Sequence, residues 1–322
     1  MSLSSLSQGR PFSATLSATL RAALPVLALA GLLAAVFYRQ PMAMSYFGLN
    51  LLLNLAIPVA FATMAQVVIL AVGDLDLSIG TFVSLTATIG ATLLPTNPAL
   101  AIAVLLALIG VYALAGALVE WRKLPSIVVT LGLSFVWLGC AVLLLPVPGG
   151  KAPEWLVEAM RFKVPLAPLP IWVALATAFM GHLVITRSSF GTRMRGLGGH
   201  AAALARAGQS LVLLRAQVYA LAGFFGVVAG LLLVGQATSA DANIASRYTL
   251  VSIAAAILGG CEFSGGRVAP AGAVAGALTM TLAASFLTFL NVPSDWQIGV
   301  QGAILVLVLG LRAGLDLLEG KK

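Results

Sequence analysis

The sequence predicts an all-α integral membrane protein, a polytopic bundle of about ten transmembrane helices, some short or broken. Three observations carry this. Over 322 residues, 60% are hydrophobic and only 9% are charged, where a soluble domain carries about 25% charged residues. Mean hydropathy is +1.05. Apolar runs are separated by Pro, Gly and charge clusters at intervals suited to the ~20 residues of a bilayer-spanning helix plus its loop.

In chain order, helices are expected at 22–38, 48–71, 77–95, 98–119, 126–146, 168–185, 216–235, 249–262, 268–289 and 296–312. The run 249–262 is the shortest and reads as a partial or broken span. Residues 1–21 are Ser-rich, with no small-residue cleavage site after the first apolar run, and read as a cytoplasmic tail. Residues 22–312 form the transmembrane domain and 313–322 a second cytoplasmic tail. An even number of spans puts both termini on one side. With the termini inside, thirteen Lys and Arg fall in inner segments and five in outer ones, as the positive-inside rule requires. The same rule accounts for the net charge of +8 without a nucleic-acid partner.

Two loops stand out. The outer one, 147–170, carries Trp155 and a short amphipathic piece expected to lie on the outer interface. The inner one, 186–215, holds five arginines and no acid. Its run AAALARA (201–207) should be helical, with Gly198, Gly199 and Gly208 as boundaries. This basic element offers a docking surface for a partner motor. A weak internal echo also appears: Gly73-x4-Ser78-x-Gly80 recurs as Gly259-x4-Ser264-x-Gly266, a candidate trace of the internal duplication found in many transporters.

The stretch GDLDLSIG (73–80) places Asp74 and Asp76 between long apolar runs. An ionised Asp costs roughly 2.5–3.5 kcal/mol at the centre of a spanning helix. The charge count puts the stretch between two helices near their cytoplasmic ends. There, Asp76 and Ser78 suit a helix start, and Gly73 and Gly80 permit a turn and close helix approach. A gating role is a second reading of these residues.

Other polar groups inside spans are Asn50, Asn54, Gln66, Thr130, Ser134, Tyr219 and Gln297. They line a solute pathway or hydrogen-bond helices together. As a set they suit a neutral polar solute better than an ion. The acids cluster near helix ends, so the energy for transport is expected from another subunit. No G-x-x-x-x-G-K-[ST] loop occurs, so the chain is not expected to hydrolyse ATP. His182 and His200 have no partner at metal-ligand spacing, Cys140 and Cys261 form no disulfide framework, and no catalytic constellation is present. The expectation is a transport subunit, not an enzyme, with no cofactor or metal of its own.

Four motifs then converge. GDLDLSIGTFVSL (73–85) resembles the G-G-[IL]-D-L-S-V-G-S signature of the ABC-transporter permeases for ribose and other simple sugars. LPSIVVTLG (124–132) resembles that family's P-[SA]-[FL]-[IV]-x-T-L-G. FGTRMRGLGGHAAALARAGQ (190–209) is similar to its G-x-x-x-x-A-[IV]-G-G-N-x-x-A-A-x-x-[SA]-G-I. LVSIAAAILGGCEFSGGR (250–267) resembles its L-x-x-I-A-A-[VC]-[VI]-L-G-G-x-x-[LF]-x-G-G. All four occur in family order.

The resemblance implies a permease of the bacterial cytoplasmic membrane, paired with a second copy or paralogue. A cytoplasmic ATPase that binds ATP and Mg drives it, and an extracytoplasmic binding protein delivers the solute. Carried over by position, Gly198, Gly199, His200, Ala202, Arg206 and Gly208 belong to the element that docks the ATPase. Asp74, Asp76, Ser78, Gly80, Gly259, Gly260, Ser264 and Gly266 fall on family motifs and form a candidate gate. Asn50, Asn54, Gln66, Thr130, Ser134 and Tyr219 remain the candidate solute pathway.

The chain departs from the pattern at Asp74, at His200 in place of Asn, and at Cys261, Glu262 and Phe263. It also departs at Thr249, Val251 and Ser252, where an acid is common. Competing readings are a branched-chain amino acid permease, a secondary carrier, and a membrane subunit without transport activity.

Overall fold

Helix breakers and caps set the element order. The computed structural model describes residues 12–293 and scattered positions between 296 and 310. Most of the expected helix at 296–312, with Gln297, lies outside the described residues. Helix α1 runs Phe12–Arg39. It begins ten residues before the expected start and takes up the second half of the expected tail, where Ala14, Leu16, Ala18 and Leu20 already favour helix. A 3-10 turn, Pro41–Met44, leads to α2 (Tyr46–Asn54), whose N-cap Ser45 accepts from the Gly48 amide.

Helix α3 (Ala56–Ala71) continues what reads in sequence as one span. The break has a local cause. Pro58 has no amide hydrogen for the Asn54 carbonyl four residues back, and that carbonyl accepts from Gln236 Nε2 at 2.8 Å instead. Next come α4 (Ile79–Thr96), α5 (Pro98–Arg122) and α6 (Ser126–Leu144). Asn97 caps α5 by accepting from the Leu100 amide. Then follow α7 (Glu154–Arg161) and α8 (Leu169–Gly181), the latter ending in a π-helical turn, His182–Arg187.

Helix α9 (Ser189–Arg206) is kinked at His200, whose φ of −146° and ψ of 54° leave helical geometry. The expected short helix at 201–207 is thus the second limb of a longer, bent one. The bend falls one residue after the Gly pair, and Gly208 at φ +76° ends the helix. The last three are α10 (Leu211–Ala237), α11 (Tyr248–Leu258) and α12 (Pro270–Phe289).

Among the described residues, seven stretches are long and apolar enough to cross a membrane. The chain is an all-α polytopic membrane protein, with α1 beyond Pro25 and α11 as shorter apolar helices. Helix α3 is central, and every residue of it except Phe61 is buried. Helix α10 lies along α3, α4 and α5, while α11 and α12 cover another flank of α3. Small residues let these backbones approach: Gly116 faces the Tyr219 ring, Gly226 faces Phe82, and Gly230 faces Thr86. A second core joins Val36, Leu52, Leu53 and Leu282 of α1, α2 and α12.

The amphipathic piece expected on the outer interface is α7. Its Leu156 and Met160 are buried against Gly235 of α10, leaving Trp155 on the exposed side. Helices α5 and α6 leave Leu106, Leu114, Phe135 and Leu143 uncovered, an apolar face suited to lipid.

Candidate functional site

The linker between α3 and α4 is GDLDLS, and its two carboxylates face protein. Gly73 turns the chain with φ +78°. Asp74 Oδ2 accepts from Tyr219 Oη at 3.0 Å and lies 3.5 Å from Arg215 Nε. Arg215 Nη1 is also 3.0 Å from Glu120 Oε2, and Glu120 in turn pairs with Lys123. Burial pushes the Asp74 carboxyl above its ordinary value, against the pull of the Arg215 guanidinium and the Tyr219 hydrogen bond. The result is a buried ionic cluster where α3, α5 and α10 meet the end of the bundle that carries α9.

Two residues on, Asp76 is completely buried. Its Oδ1 accepts from the Ser78 amide and the Ser78 hydroxyl, each at 2.7 Å. Its Oδ2 accepts from Tyr112 Oη at 2.8 Å. Asp76 therefore braces the start of α4 by holding Ser78, the residue that precedes the helix. Ser78 Oγ and Tyr112 Oη are themselves 2.8 Å apart, and Tyr112 stacks on Trp137 and meets Phe82 edge-on.

The start of α6 holds the other side of the linker. Ser126 Oγ accepts from the Leu75 amide at 3.2 Å, and Thr130 Oγ1 accepts from the Leu77 amide at 3.1 Å. At the second residue of α4, the Gly80 amide donates to Thr249 Oγ1 of α11 at 3.0 Å. A Cβ at Gly80 would lie 2.6 Å from that oxygen and 2.7 Å from the Ala245 carbonyl.

The two echoing stretches meet in space but differ in conformation. Gly73 and Gly259 both follow helices, but Ser78 is buried and bonded while Ser264 is exposed. Gly80 is helical, whereas Gly266 sits at φ +77° in a loop. Gly73 lies against Ser264 and Gly265. A Cβ at Gly265 would be 2.8 Å from the Gly73 amide nitrogen and 3.0 Å from the Gly198 Cα. The Gly266 amide donates to the Ala71 carbonyl at 2.9 Å, the same carbonyl on which Gly198 rests. Gly199 lies against Gly266. Helix α9 thus touches both loops through backbone contacts, and a side chain at Gly198 or Gly265 would block them. Gly260 takes φ +109°, and Gly259 abuts Gly272 and Ala273 of α12.

Along α9, Ala201 and Leu204 pack inward, while Gly199, His200, Ala202, Arg206 and Gly208 are exposed. These are the residues expected to meet an ATPase. Among the described residues of 186–215 there is no acid to neutralise this surface.

The expected solute-pathway set is not brought together. Thr130 and Tyr219 hold the linker, as above. Asn54 Oδ1 and its carbonyl both take Gln236 Nε2. Ser134 lies on the exposed side of α6 and bonds the Leu131 carbonyl. Asn50 is half-buried in α2. Gln66 is sealed within α3, and neither atom of its amide finds a partner among the described residues.

Six contributors were not singled out from the sequence as parts of this site: Tyr112, Glu120, Ser126, Arg215, Gln236 and Thr249. Two had a readable signal. Pro58 announces a freed carbonyl at Asn54, and a charged Asp74 demands a cation.

Comparison with known proteins agrees with this architecture. The galactose/methyl galactoside import permease protein MglC of Salmonella typhimurium is 28% identical over 307 residues, covering 87% of this chain and 90% of that protein. The probable ABC transporter permease protein YphD of Escherichia coli is 30% identical over 262 residues, 79% of this chain and 78% of that one. The ribose import permease protein RbsC of Escherichia coli is 27% identical over 299 residues, 88% and 91% respectively. These relatives are transport components, not enzymes. No solved structure matches the chain. Residues 48–309, from α2 to beyond α12, match the family described as "Branched-chain amino acid transport system / permease component", and the chain belongs to that family.

Proposed function

We propose that the chain is the transmembrane permease of an ATP-driven importer for a sugar or sugar-like solute. The observation that carries this reading is the near full-length similarity to permeases named for galactose and ribose import. In this reading the permease domain spans 22–312, with both termini and loop 186–215 in the cytoplasm of a bacterial inner membrane. A separate ATPase supplies ATP and Mg chemistry, an extracytoplasmic binding protein delivers solute, and a second permease copy or paralogue completes the passage.

The kinked α9 is the docking element, with Gly198, Gly199, His200, Ala202, Arg206 and Gly208 at or beside the contact. Its exposed Ala202, Ala203 and Ala205 allow close approach to a partner cleft, while Ala201 and Leu204 anchor the second limb to the bundle. The buried ionic cluster and the Asp76 brace support a rigid connection behind it, a structural use of Asp74, Asp76, Ser78 and Gly80 with a gating role in movement of the linker.

The test has two arms. Co-purification of the ATPase with Gly208→Glu and Arg206→Glu permeases should be lost while membrane insertion is kept; normal co-purification sinks the docking assignment. Uptake of labelled galactose and ribose into vesicles holding the whole transporter, challenged with excess leucine, separates sugars from the branched-chain amino acids named in the family description. Leucine-sensitive uptake of leucine alone would reverse the solute class.

A further inference from the structure

The segment between α10 and α11 reads in sequence as an outer loop, yet it descends along the flank of α4. At its upper end, Ala240 pairs with Gly149 in both directions at 2.9 Å, and the next residues of that loop reach the Ala91 carbonyl through the Lys151 amide. At its lower end, the Ala245 amide donates to Ser84 Oγ at 3.0 Å, and Thr249 Oγ1 takes the Gly80 amide. From Ala91 to Gly80 along α4 is a drop of about 16 Å at 1.5 Å per residue.

The lower level can be placed a second way. Ser78 sits against Tyr112, which is about 21 Å along α5 from Pro98 and about 15 Å from Arg122 by the same rise. Residues 243–247 therefore lie near the middle of a ~30 Å hydrocarbon layer.

This segment is irregular, built of consecutive turns rather than helix. Asn243, Ser246 and Arg247 on it are exposed, and Arg247 makes no ion pair with any described residue. Lipid does not accept irregular backbone at this depth, nor an unpaired guanidinium. Such a surface faces water, polar ligand or another protein, not lipid. Nothing similar occurs on α5 and α6, whose exposed residues at the same depth are apolar, among them Val111, Leu114 and Phe135.

We infer that residues 243–247 line the aqueous solute passage, with Asn243, Ser246 and Arg247 as the side chains that contact a polyhydroxylated solute. The ligand class rests on the importer reading above; the placement of the passage does not. The guanidinium offers a fork of donors to vicinal hydroxyls, and Asn243 and Ser246 add a donor–acceptor amide and a hydroxyl. None of the three belongs to the ionic cluster or the α9 surface, so they are free to determine specificity without disturbing either.

The experiment places single cysteines at 243, 246 and 247, and at Phe135 as the lipid-facing control, in a Cys140→Ser, Cys261→Ala chain assembled with its ATPase. A small charged methanethiosulfonate reagent is applied from either side of the membrane. Labelling at 243 and 247 with none at 135 is expected. Absence of labelling at 243 and 247, while Lys151→Cys labels, would mean that protein covers the segment, and would overturn the inference. In parallel, Arg247→Met should lower uptake of whichever sugar the parent carries by about tenfold or more, the scale of a lost charged hydrogen bond, with ATPase co-purification unchanged. Unaltered uptake would remove Arg247 from solute contact. Uptake of neither galactose nor ribose by the parent would instead sink the sugar reading, and the labelling pattern would still decide the passage.

Discussion

Asp74, in the linker after α3, and Arg215, in the first turns of α10, are held 3.5 Å apart with both side chains largely withdrawn from solvent. The pair does not stand alone, because the same guanidinium reaches Glu120 at 3.0 Å. One cation thus separates two buried carboxylates. Removing it leaves like charges facing each other in a site where burial already opposes ionisation of Asp74. Arg215→Met should therefore destabilise the detergent-solubilised protein by about 3–5 kcal/mol, the cost of breaking a buried ionic group from one side. Adding Asp74→Asn to Arg215→Met should recover part of that loss, read as the midpoint of thermal unfolding. A midpoint for Arg215→Met equal to the parent's would show that the cluster is not coupled to folding.

How far this was legible depends on whether the cause is local. Apolar runs and breakers located α4, α5 and α12 to within a few residues, because lipid requires long apolar helices whatever they pack against. The role of Asp76 at the helix start was largely local: its Oδ1 holds the amide and hydroxyl of Ser78, two residues on, and only Tyr112 comes from another helix. Asp74 was different. Its charge shows a need for a cation, but Arg215 and Tyr219 lie on a helix far downstream, and only packing of α10 on α3 brings them close. Arg215 itself counted in sequence as one of several loop cations. The depth of Arg247 was hidden for the same reason, since its position follows from contacts of residues 240–249 with α4 rather than from its neighbours in the chain.

Gly80 marks the closest approach of α4 to the start of α11. A methyl group there would meet Thr249 Oγ1 at 2.6 Å and, behind it, the backbone carbonyls of Ala245 and Ser246 at 2.7 and 3.0 Å. Side chains can move aside, but these carbonyls cannot without shifting the whole segment. Gly80→Ala is expected to cost about 1–3 kcal/mol, the usual range for overpacking. Thr249→Ala should fail to restore it, as measured by thermal unfolding. Full rescue by Thr249→Ala would place the conflict in the side chain and relax the fit between the two helices.

Pro58, Asn54 and Gln236 form a testable triangle. Because Pro58 cannot donate, the Asn54 carbonyl depends on Gln236 Nε2 at 2.8 Å. Gln236→Leu in the parent leaves that carbonyl unsatisfied and should cost about 1–3 kcal/mol. In a Pro58→Ala chain the new amide can take the carbonyl and close the break between α2 and α3, so the same Gln236→Leu change should cost less than half as much. Equal costs in the two backgrounds, read from unfolding midpoints, would show that the break is held by something other than the missing amide.

The junction of Gly73, Gly198 and Gly265 separates docking from transmission. Gly265 is at φ +80°, and a Cβ there would lie within 3.0 Å of backbone atoms of both Gly73 and Gly198. Gly265→Val should therefore push α9 away from the linker that carries Asp74 and Asp76, leaving the exposed second limb of α9 unchanged. Under the importer reading, the ATPase should still co-purify with this variant, while solute uptake falls roughly tenfold or more, the range of a typical inter-site coupling. Gly139→Ala on α6, whose Cβ meets nothing within 4 Å, serves as the control for a glycine substitution without steric conflict and should retain uptake. Loss of co-purification in Gly265→Val would mean that the junction shapes the docking surface itself. Normal uptake would mean that α9 moves the linker through contacts other than these glycines.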